Sequence, residues 1–372
     1  MSAVNSKDIC LSILDKAGIE INGSKPWSIH VHNEKLWDRI ISQQSLGLGE
    51  AYMDGWWDCE SIDQMLTRLL EMNVAKELRP SATLLAHAIK STLLNRQTKT
   101  KAAANAKHHY NIGNDLYERM LDPEMAYSCA YWADAKNLKD AQLDKFDLIA
   151  QKLHLKPGMR ILDIGCGWGG FLRYAAKNYG VTGVGISPAD NQIAIARERN
   201  GKLPLEYIQQ DYRDLTGSFD RIVSVGMMEH VGPKNLGTFF DKCISLLKSD
   251  GMMLHHTIAS NLSKHVTDQF FDRYIFPGGV LPSLGQISRA VEKKVIIEDV
   301  HNFGPDYDKT LLEWYKNINK RWNEIPHYDE RFRRMWNYYL LSSAAGFRAR
   351  NIQLLQVVFR TFSARGTYIT AR

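Results

Sequence analysis

No apolar run in these 372 residues approaches the ~18–20 residues that cross a bilayer, so a membrane span is not expected. The opening segment Met1–Asp8 has no apolar core of the kind that leads a secreted chain, so secretion is not expected either. Cysteine is scarce and scattered: Cys10, Cys59, Cys129, Cys166 and Cys243, with no Cys-x-x-Cys pair. That spacing excludes a disulfide framework and a zinc site, and it suits a reducing cytoplasm. There is no internal repeat. Neither disorder nor a coiled coil fits a chain that is 44% hydrophobic and 24% charged. At ~150 residues per domain, the length predicts two domains with ample core.

What is present is an uneven charge. The whole chain carries 47 − 41 = +6. Residues 309–372 hold 12 Lys/Arg and 4 Asp/Glu, or +8, leaving −2 for the rest. A basic region suits an anionic partner, nucleic acid or lipid headgroups, and equally suits a solvated helical face.

The pattern changes along the chain. Residues 8–20 predict an amphipathic helix ending at Gly18, followed by a turn at Asn22–Pro26. The Gly- and aromatic-rich stretch 45–60 predicts a packed turn. Residues 61–94 have helical periodicity broken at Pro80. Residues 95–107 are polar, basic and free of large apolar side chains, which predicts a linker. Strands and helices then alternate. Strands are expected at 160–165, 181–186, 205–209, 220–226 and 251–258, with helices at 139–154, 168–179, 189–199 and 236–247. Such alternation predicts a doubly wound, Rossmann-like parallel α/β sheet.

The strongest local signal is Leu162-Asp163-Ile164-Gly165-Cys166-Gly167-Trp168-Gly169-Gly170. Glycines between strand and helix let the backbone approach a ligand closely. Gly165, Gly167 and Gly170 fit the dinucleotide spacing G-x-G-x-x-G. Gly165, Gly167 and Gly169, with Asp163 ahead, fit the G-x-G-x-G loop of S-adenosylmethionine (SAM) methyltransferases. A dinucleotide site wants an acidic residue closing the second strand. That strand instead ends Gly185-Ile186-Ser187, which favours SAM.

In open α/β sheets, ligands bind at the carboxyl ends of the strands. The expected strands deliver Gly165–Gly170, then Ser187 and Gln192, then Asp211 and Tyr212, then Glu229 and His230, then His255 and His256. Any one of these residues could be a cap; together they describe a polar pocket.

Several separated segments resemble one family, in one order. They are Tyr127-Ser128-Cys129-Ala130-Tyr131-Trp132, Leu162–Gly170, Arg221–His230, Leu254–Ile258 and Ile275-Phe276-Pro277-Gly278-Gly279. The chain resembles the cyclopropane-fatty-acyl-phospholipid synthases over essentially its whole length. The resemblance implies addition of a methylene from SAM across a cis double bond of a phospholipid acyl chain. It implies SAM contacts at Tyr127, Ser128, Leu162, Asp163, Gly165, Gly167, Trp168, Gly169, Gly170, Ser187, Gln192, Asp211, Tyr212 and Arg213. It also implies a bicarbonate ion held at Cys129 (through its backbone), Glu229, His256 and Tyr307, with no metal. Aromatic faces suited to a carbocation would come from Tyr127, Tyr131, Trp132, Tyr274, Phe276 and Tyr307. Two departures stand out. The segment before Phe347-Arg348-Ala349-Arg350 reads Leu341–Gly346 without the cysteine many bacterial relatives carry. Ser187-Pro188-Ala189 replaces the usual Thr-Ile/Leu-Ser.

The expectation is therefore a small, mainly helical domain over 1–95 that engages lipid and dimerises, a linker over 96–107, and a SAM-dependent catalytic domain over 108–372. The implied partners are an unsaturated phospholipid, an anionic membrane surface and a second copy, with no nucleic acid. The implied location is the cytoplasm, peripheral on the inner membrane surface. The alternatives are a SAM-dependent C- or N-methyltransferase and a lipid-binding protein with a vestigial cofactor fold.

Overall fold

The computed structural model describes residues 5–72, Gln97 and 113–372. The chain folds into two compact units. One draws on residues up to Leu94, His265–Pro277 and Leu311–Ile352; the other on Asn95–Lys264, Gly278–Thr310 and Gln353–Arg372. The first unit is thus not one continuous N-terminal stretch. The helix Glu330–Arg348 returns to it, and Arg334 and Arg348 pair with Asp58 and Asp63 at 2.6 and 2.7 Å.

The first unit is mainly helical, with helices Ser6–Lys16, Leu36–Met53 and Ile62–Glu71. Its short strands β1 (His30–Val31) and β2 (Trp57–Asp58) pair antiparallel. Of the stretch 45–60, expected as a packed turn, the part up to Met53 is helical after a kink at Gln44 (φ 50°), and a turn then leads into β2. Its glycines serve close packing. A Cβ at Gly49 would lie 2.4 Å from the Phe270 ring, and one at Gly47 2.2 Å from the Arg39 carbonyl. The expected helix broken at Pro80 and nearly all of the expected linker lie outside the described residues.

The second unit holds a seven-stranded sheet of order β5-β4-β3-β6-β7-β9-β8. Its strands are β3 (Arg160–Ile164), β4 (Thr182–Ser187), β5 (Leu205–Gln209), β6 (Phe219–Val225), β7 (Leu247–Ser260), β8 (Ile296–Asn302) and β9 (Ile352–Arg360). Strands β3 to β7 pair in parallel, and β8 with β9 antiparallel. The five parallel strands match the expected ones closely, because a strand covered on both faces is a nearly unbroken apolar run. Apolar clusters fill both faces of the sheet. Leu162, Ile164, Ile222 and Met253 lie in one, Ile161, Val223 and Leu254 in the other. Chain order reverses between β3 and β6, which makes their carboxyl ends a topological switch point.

The basic surplus near the carboxyl end is largely consumed. Eight of its twelve cations form ion pairs: Lys316, Arg321, Arg331, Arg333, Arg334, Arg348, Arg360 and Arg372. Five of the eight partners are acids outside that region, namely Asp54, Asp58, Asp63, Glu298 and Asp299. No helix among the described residues is long and apolar enough to cross a membrane.

Candidate active site

The glycine loop begins where β3 stops. Gly165, Gly167 and Gly169 all adopt positive φ, at 85°, 54° and 78°. The Gly165 and Cys166 amides donate to Ile186 O at 2.9 and 3.0 Å, which ties the loop to β4. A Cβ at Gly169 would meet the Tyr207 ring at 2.7 Å, and one at Gly170 the Glu124 carbonyl at 2.7 Å. These two glycines serve packing. At Gly167, and at Gly226 at the end of β6, a Cβ would meet nothing within 4 Å among the described residues. Open space beside left-handed backbone at the switch point is the cradle a cofactor needs.

Period-two alternation sorts the β3 residues. Leu162 points into the apolar cluster and has no exposed surface. It supports the loop from below and presents no side chain to a ligand. Asp163 points the other way. It is buried, its Oδ1 has no partner among the described residues, and burial pushes its carboxyl up to about 7. The nearby Lys145 ammonium opposes that rise, and burial pulls Lys145 down to about 8. Lys145 donates to Ser128 Oγ at 2.8 Å, while the Gln142 amide donates to Ser128 O at 2.9 Å. Tyr127 is reached through aromatic contacts: Trp168 and Tyr127 each lie 5.1 Å from the Tyr117 ring.

The remaining expected cofactor contacts are engaged locally. Ser187 Oγ donates to Gln192 Oε1 at 2.9 Å. Asp211 caps the turn Tyr212–Asp214 and accepts from the Arg213 amide at 2.9 Å. Arg213 Nε donates to the Tyr212 hydroxyl at 3.3 Å.

A second cluster gathers one layer over. Glu229 lies in the helical turn Met228–Val231 that follows β6, and Val225 at the end of β6 pairs with His256 on β7. Glu229 Oε1 accepts from the Ile258 amide at 2.7 Å, while its Oε2 has no partner among the described residues. Burial raises this carboxyl to about 7. His256 is buried, and burial together with Lys145 and Lys152 holds it far below the ordinary imidazole range, so it is neutral. Its Nδ1 lies 3.3 Å from Gln356 Nε2, and its Nε2 has no partner among the described residues. The segment carrying Cys129 is pinned to the start of the helix Pro305–Lys320. Ala130 N donates to Thr310 Oγ1 at 3.1 Å and Trp132 N to Asp306 Oδ2 at 2.7 Å. That helix start carries the buried Tyr307. Cys129 is fully buried, its thiol is held well above the usual range by desolvation, and Sγ donates to Ala130 O at 3.1 Å. It is no thiolate nucleophile.

Of the other expected residues, His255 faces the opposite side of β7 and lies 5.2–5.7 Å from Phe239, Phe240 and Phe359. It belongs to the core. Tyr274 and Phe276 belong to the first unit, where Tyr274 donates to Glu50 Oε1 at 2.7 Å. Gln356 was not expected from the sequence. Its signal is a lone amide inside the apolar run Leu354–Phe359, with no exposed surface. Among the described residues no His/Cys/Asp/Glu group could hold a metal.

The arrangement fits two small-molecule groups. The glycine cradle and the orphaned Asp163 oxygen suit SAM. The unpartnered Glu229 oxygen and His256 nitrogen suit a small oxyanion that carries a hydroxyl group.

The comparisons agree with the cofactor reading. The mycolic acid cyclopropane synthetase family matches residues 97–357. The chain is 49% identical over 352 residues to the cyclopropane-fatty-acyl-phospholipid synthase of Escherichia coli (strain K12), covering 94% of this chain and 92% of that protein. It is 32% identical to cyclopropane mycolic acid synthase 1 of Mycobacterium tuberculosis over 68% of this chain and 95% of that protein. A solved mycolic acid cyclopropane synthase complexed with SAH and CTAB superposes with TM-score 0.66 at 32% identity, covering 70% of this chain and 98% of that one. A coclaurine N-methyltransferase, at 19% identity and TM-score 0.69 over 84% of this chain and 99% of that one, shares the fold. With the glycine cradle, the switch-point sheet and these relatives in agreement, the chain belongs to the mycolic acid cyclopropane synthetase family of SAM-dependent transferases.

Proposed function

We propose that this chain transfers a methylene group from SAM across the cis double bond of an unsaturated phospholipid acyl chain, leaving a cyclopropane and S-adenosylhomocysteine. The observation that carries this reading is that buried Glu229 Oε2 and His256 Nε2, at neighbouring strand ends, both lack partners among the described residues. Simple methyl transfer needs no such assembly. Ring closure does, because a proton must leave the delivered methyl group.

SAM bound in the crevice supplies an electrophilic methyl group to the alkene. The chain's own part is to hold, orient and keep dry. Gly167 and Gly226 leave room for close backbone approach. Tyr127, Trp168 and Tyr117 form an aromatic wall. Tyr131, packed 5.4 Å from Phe303, adds an aromatic face that can stabilise positive charge on the acyl chain. Burial of the Glu229 site excludes water that would trap that charge. Glu229, His256, Tyr307 and the Cys129 backbone would hold bicarbonate, which would supply the base. Incubation with SAM and unsaturated phospholipid vesicles, followed by mass spectrometry of the acyl chains, tests the reaction. The expected product gains one CH₂ and loses the alkene. A gain of CH₂ with the alkene kept would mean C-methylation instead.

The lipid substrate calls for contact with a membrane surface. Exposed Leu262, just past the end of β7, and exposed Leu284 flank the Ser263–Ser283 hydroxyl contact of 2.8 Å. Lys264 and Arg289 are exposed there: Arg289 donates to Ser263 Oγ at 3.3 Å, and Gln286 donates to Lys264 O at 3.2 Å. Exposed apolar side chains next to cations suit an anionic bilayer, and binding to anionic vesicles should weaken with salt. Equal binding to neutral vesicles at low and high salt would refute that contact. The family resemblance supports a homodimer on the inner membrane surface, which light scattering in solution tests.

A further inference from the structure

Gln356 has no exposed surface, and it sits in a strand whose neighbours Leu355, Val357, Val358 and Phe359 all belong to apolar clusters. A buried amide there costs stability unless its hydrogen-bonding groups are used. Its Nε2 faces His256 Nδ1 at 3.3 Å. With the amide nitrogen turned to the ring and Gln356 Oε1 left without a partner among the described residues, the NH₂ donates and Nδ1 accepts, which leaves the single proton of a neutral imidazole on Nε2. That Nε2–H has no partner among the described residues, and neither does Glu229 Oε2. The other Glu229 oxygen is already occupied by the Ile258 amide at 2.7 Å.

The tautomer decides what the site can bind. With the proton on Nε2, the pair presents one donor and one acceptor. Bicarbonate offers the complement, an anionic oxygen for the donor and a hydroxyl for the acceptor. With the proton on Nδ1, the pair would present two acceptors and would repel an anion. The amide also lies out of chain order: β9 inserts between β7 and β8, so this contact exists only in the completed sheet.

We propose that Gln356 is a positioning residue: its amide fixes His256 as the Nε2–H tautomer, so that the buried Glu229–His256 pair accepts an oxyanion bearing a hydroxyl group. The proposal rests on the ion-site reading above, and its test separates the two.

The test uses the full chain labelled with ¹⁵N-histidine, with the His256 signals assigned by their loss in His256→Gln. Wild-type protein should show a protonated Nε2 and an unprotonated Nδ1. Gln356→Met keeps the volume and removes the donor; it should mix the tautomers. Gln356→Glu places an acceptor against Nδ1 and should move the proton there. Both variants should raise the bicarbonate concentration for half-maximal turnover by about ten-fold or more, the scale of one lost buried hydrogen bond. SAM affinity by calorimetry should stay within about two-fold. An Nδ1–H tautomer in wild-type protein would overturn the proposal without any variant having to fold. So would Gln356→Met with an unchanged tautomer and unchanged bicarbonate dependence. A wild-type enzyme that ignores bicarbonate yet holds the Nε2–H form, lost in Gln356→Met, would refute the ion site while supporting the hold of Gln356 on His256.

Discussion

The two faces of β7 carry the same residue type to opposite ends. His255 and His256 are adjacent, both are fully buried, and both are held neutral by desolvation, His255 down to about 3. His255 lies among Phe239, Phe240 and Phe359 with neither ring nitrogen bonded among the described residues. His256 has Gln356 on one nitrogen and no partner among the described residues on the other, and two residues further along β7 the Ile258 amide holds Glu229, whose second oxygen has no partner among them either. Burial and a displaced pKa are common to both faces, so neither marks the site. What marks it is asymmetry, a ring fixed on one side and open on the other next to a complementary group.

The sharpest way to break this comparison is to make one change on each face. His256→Leu should lower kcat about 10²–10⁴-fold, the usual scale for a positioned proton-transfer assembly, with SAM affinity within about two-fold. His255→Leu should leave kcat within about two-fold and raise stability by ~1 kcal/mol, because it removes buried polar nitrogens without partners. Steady-state kinetics and denaturant melts measure both. Comparable loss of kcat at the two positions would erase the distinction.

A smaller effect is expected at the cofactor crevice. Gly167→Val should weaken SAM binding at least about ten-fold by filling the open space. It should also cost about 1–2 kcal/mol of stability, because a β-branched residue would be forced to φ 54°. Unchanged SAM affinity by calorimetry would remove this loop from the cofactor site.

Acid sensitivity sharpens the contrast further. His255 is depressed to about 3 in the fold against 6.5 when unfolded. Between those values the unfolded state binds the extra proton, so His255 costs stability as pH falls below 6.5, at roughly 1 kcal/mol per pH unit. Glu229, raised to about 7 from 4.5, acts oppositely. The fold keeps its proton, and stability is lost as pH rises from 4.5 through 7. Melts of His255→Leu should flatten the acid limb, and those of Glu229→Gln the neutral one. The smallest effect belongs to Cys129→Ser, which should keep most activity, since a hydroxyl can also donate to Ala130 O.

The parallel strands and the glycine loop were legible because they are short-range signals, an apolar run followed by glycines. Alternation sends the Leu162 side chain to the core, although the residue sits inside the motif. It does the same to His255, which was expected at the strand end together with His256. Gly47 and Gly49 read as a turn, yet they relieve contacts inside a helix. Gln356 could not be linked to His256 at all. Their contact spans 100 residues of sequence and depends on β9 entering the sheet out of order. The basic carboxyl region suggested a charged surface, and only the fold shows that most of its cations face carboxylates.

The central claim is that Glu229 and His256 hold a hydroxyl-bearing oxyanion that serves as base. The most direct measurement is turnover on unsaturated vesicles in buffer rigorously freed of carbon dioxide, with and without added bicarbonate, for wild type and Glu229→Gln. The account predicts slow wild-type turnover restored by bicarbonate, and a Glu229→Gln variant whose kcat falls far more than its SAM affinity and is not restored. Full wild-type activity without bicarbonate, alongside an inactive Glu229→Gln, would contradict it and make Glu229 itself the base.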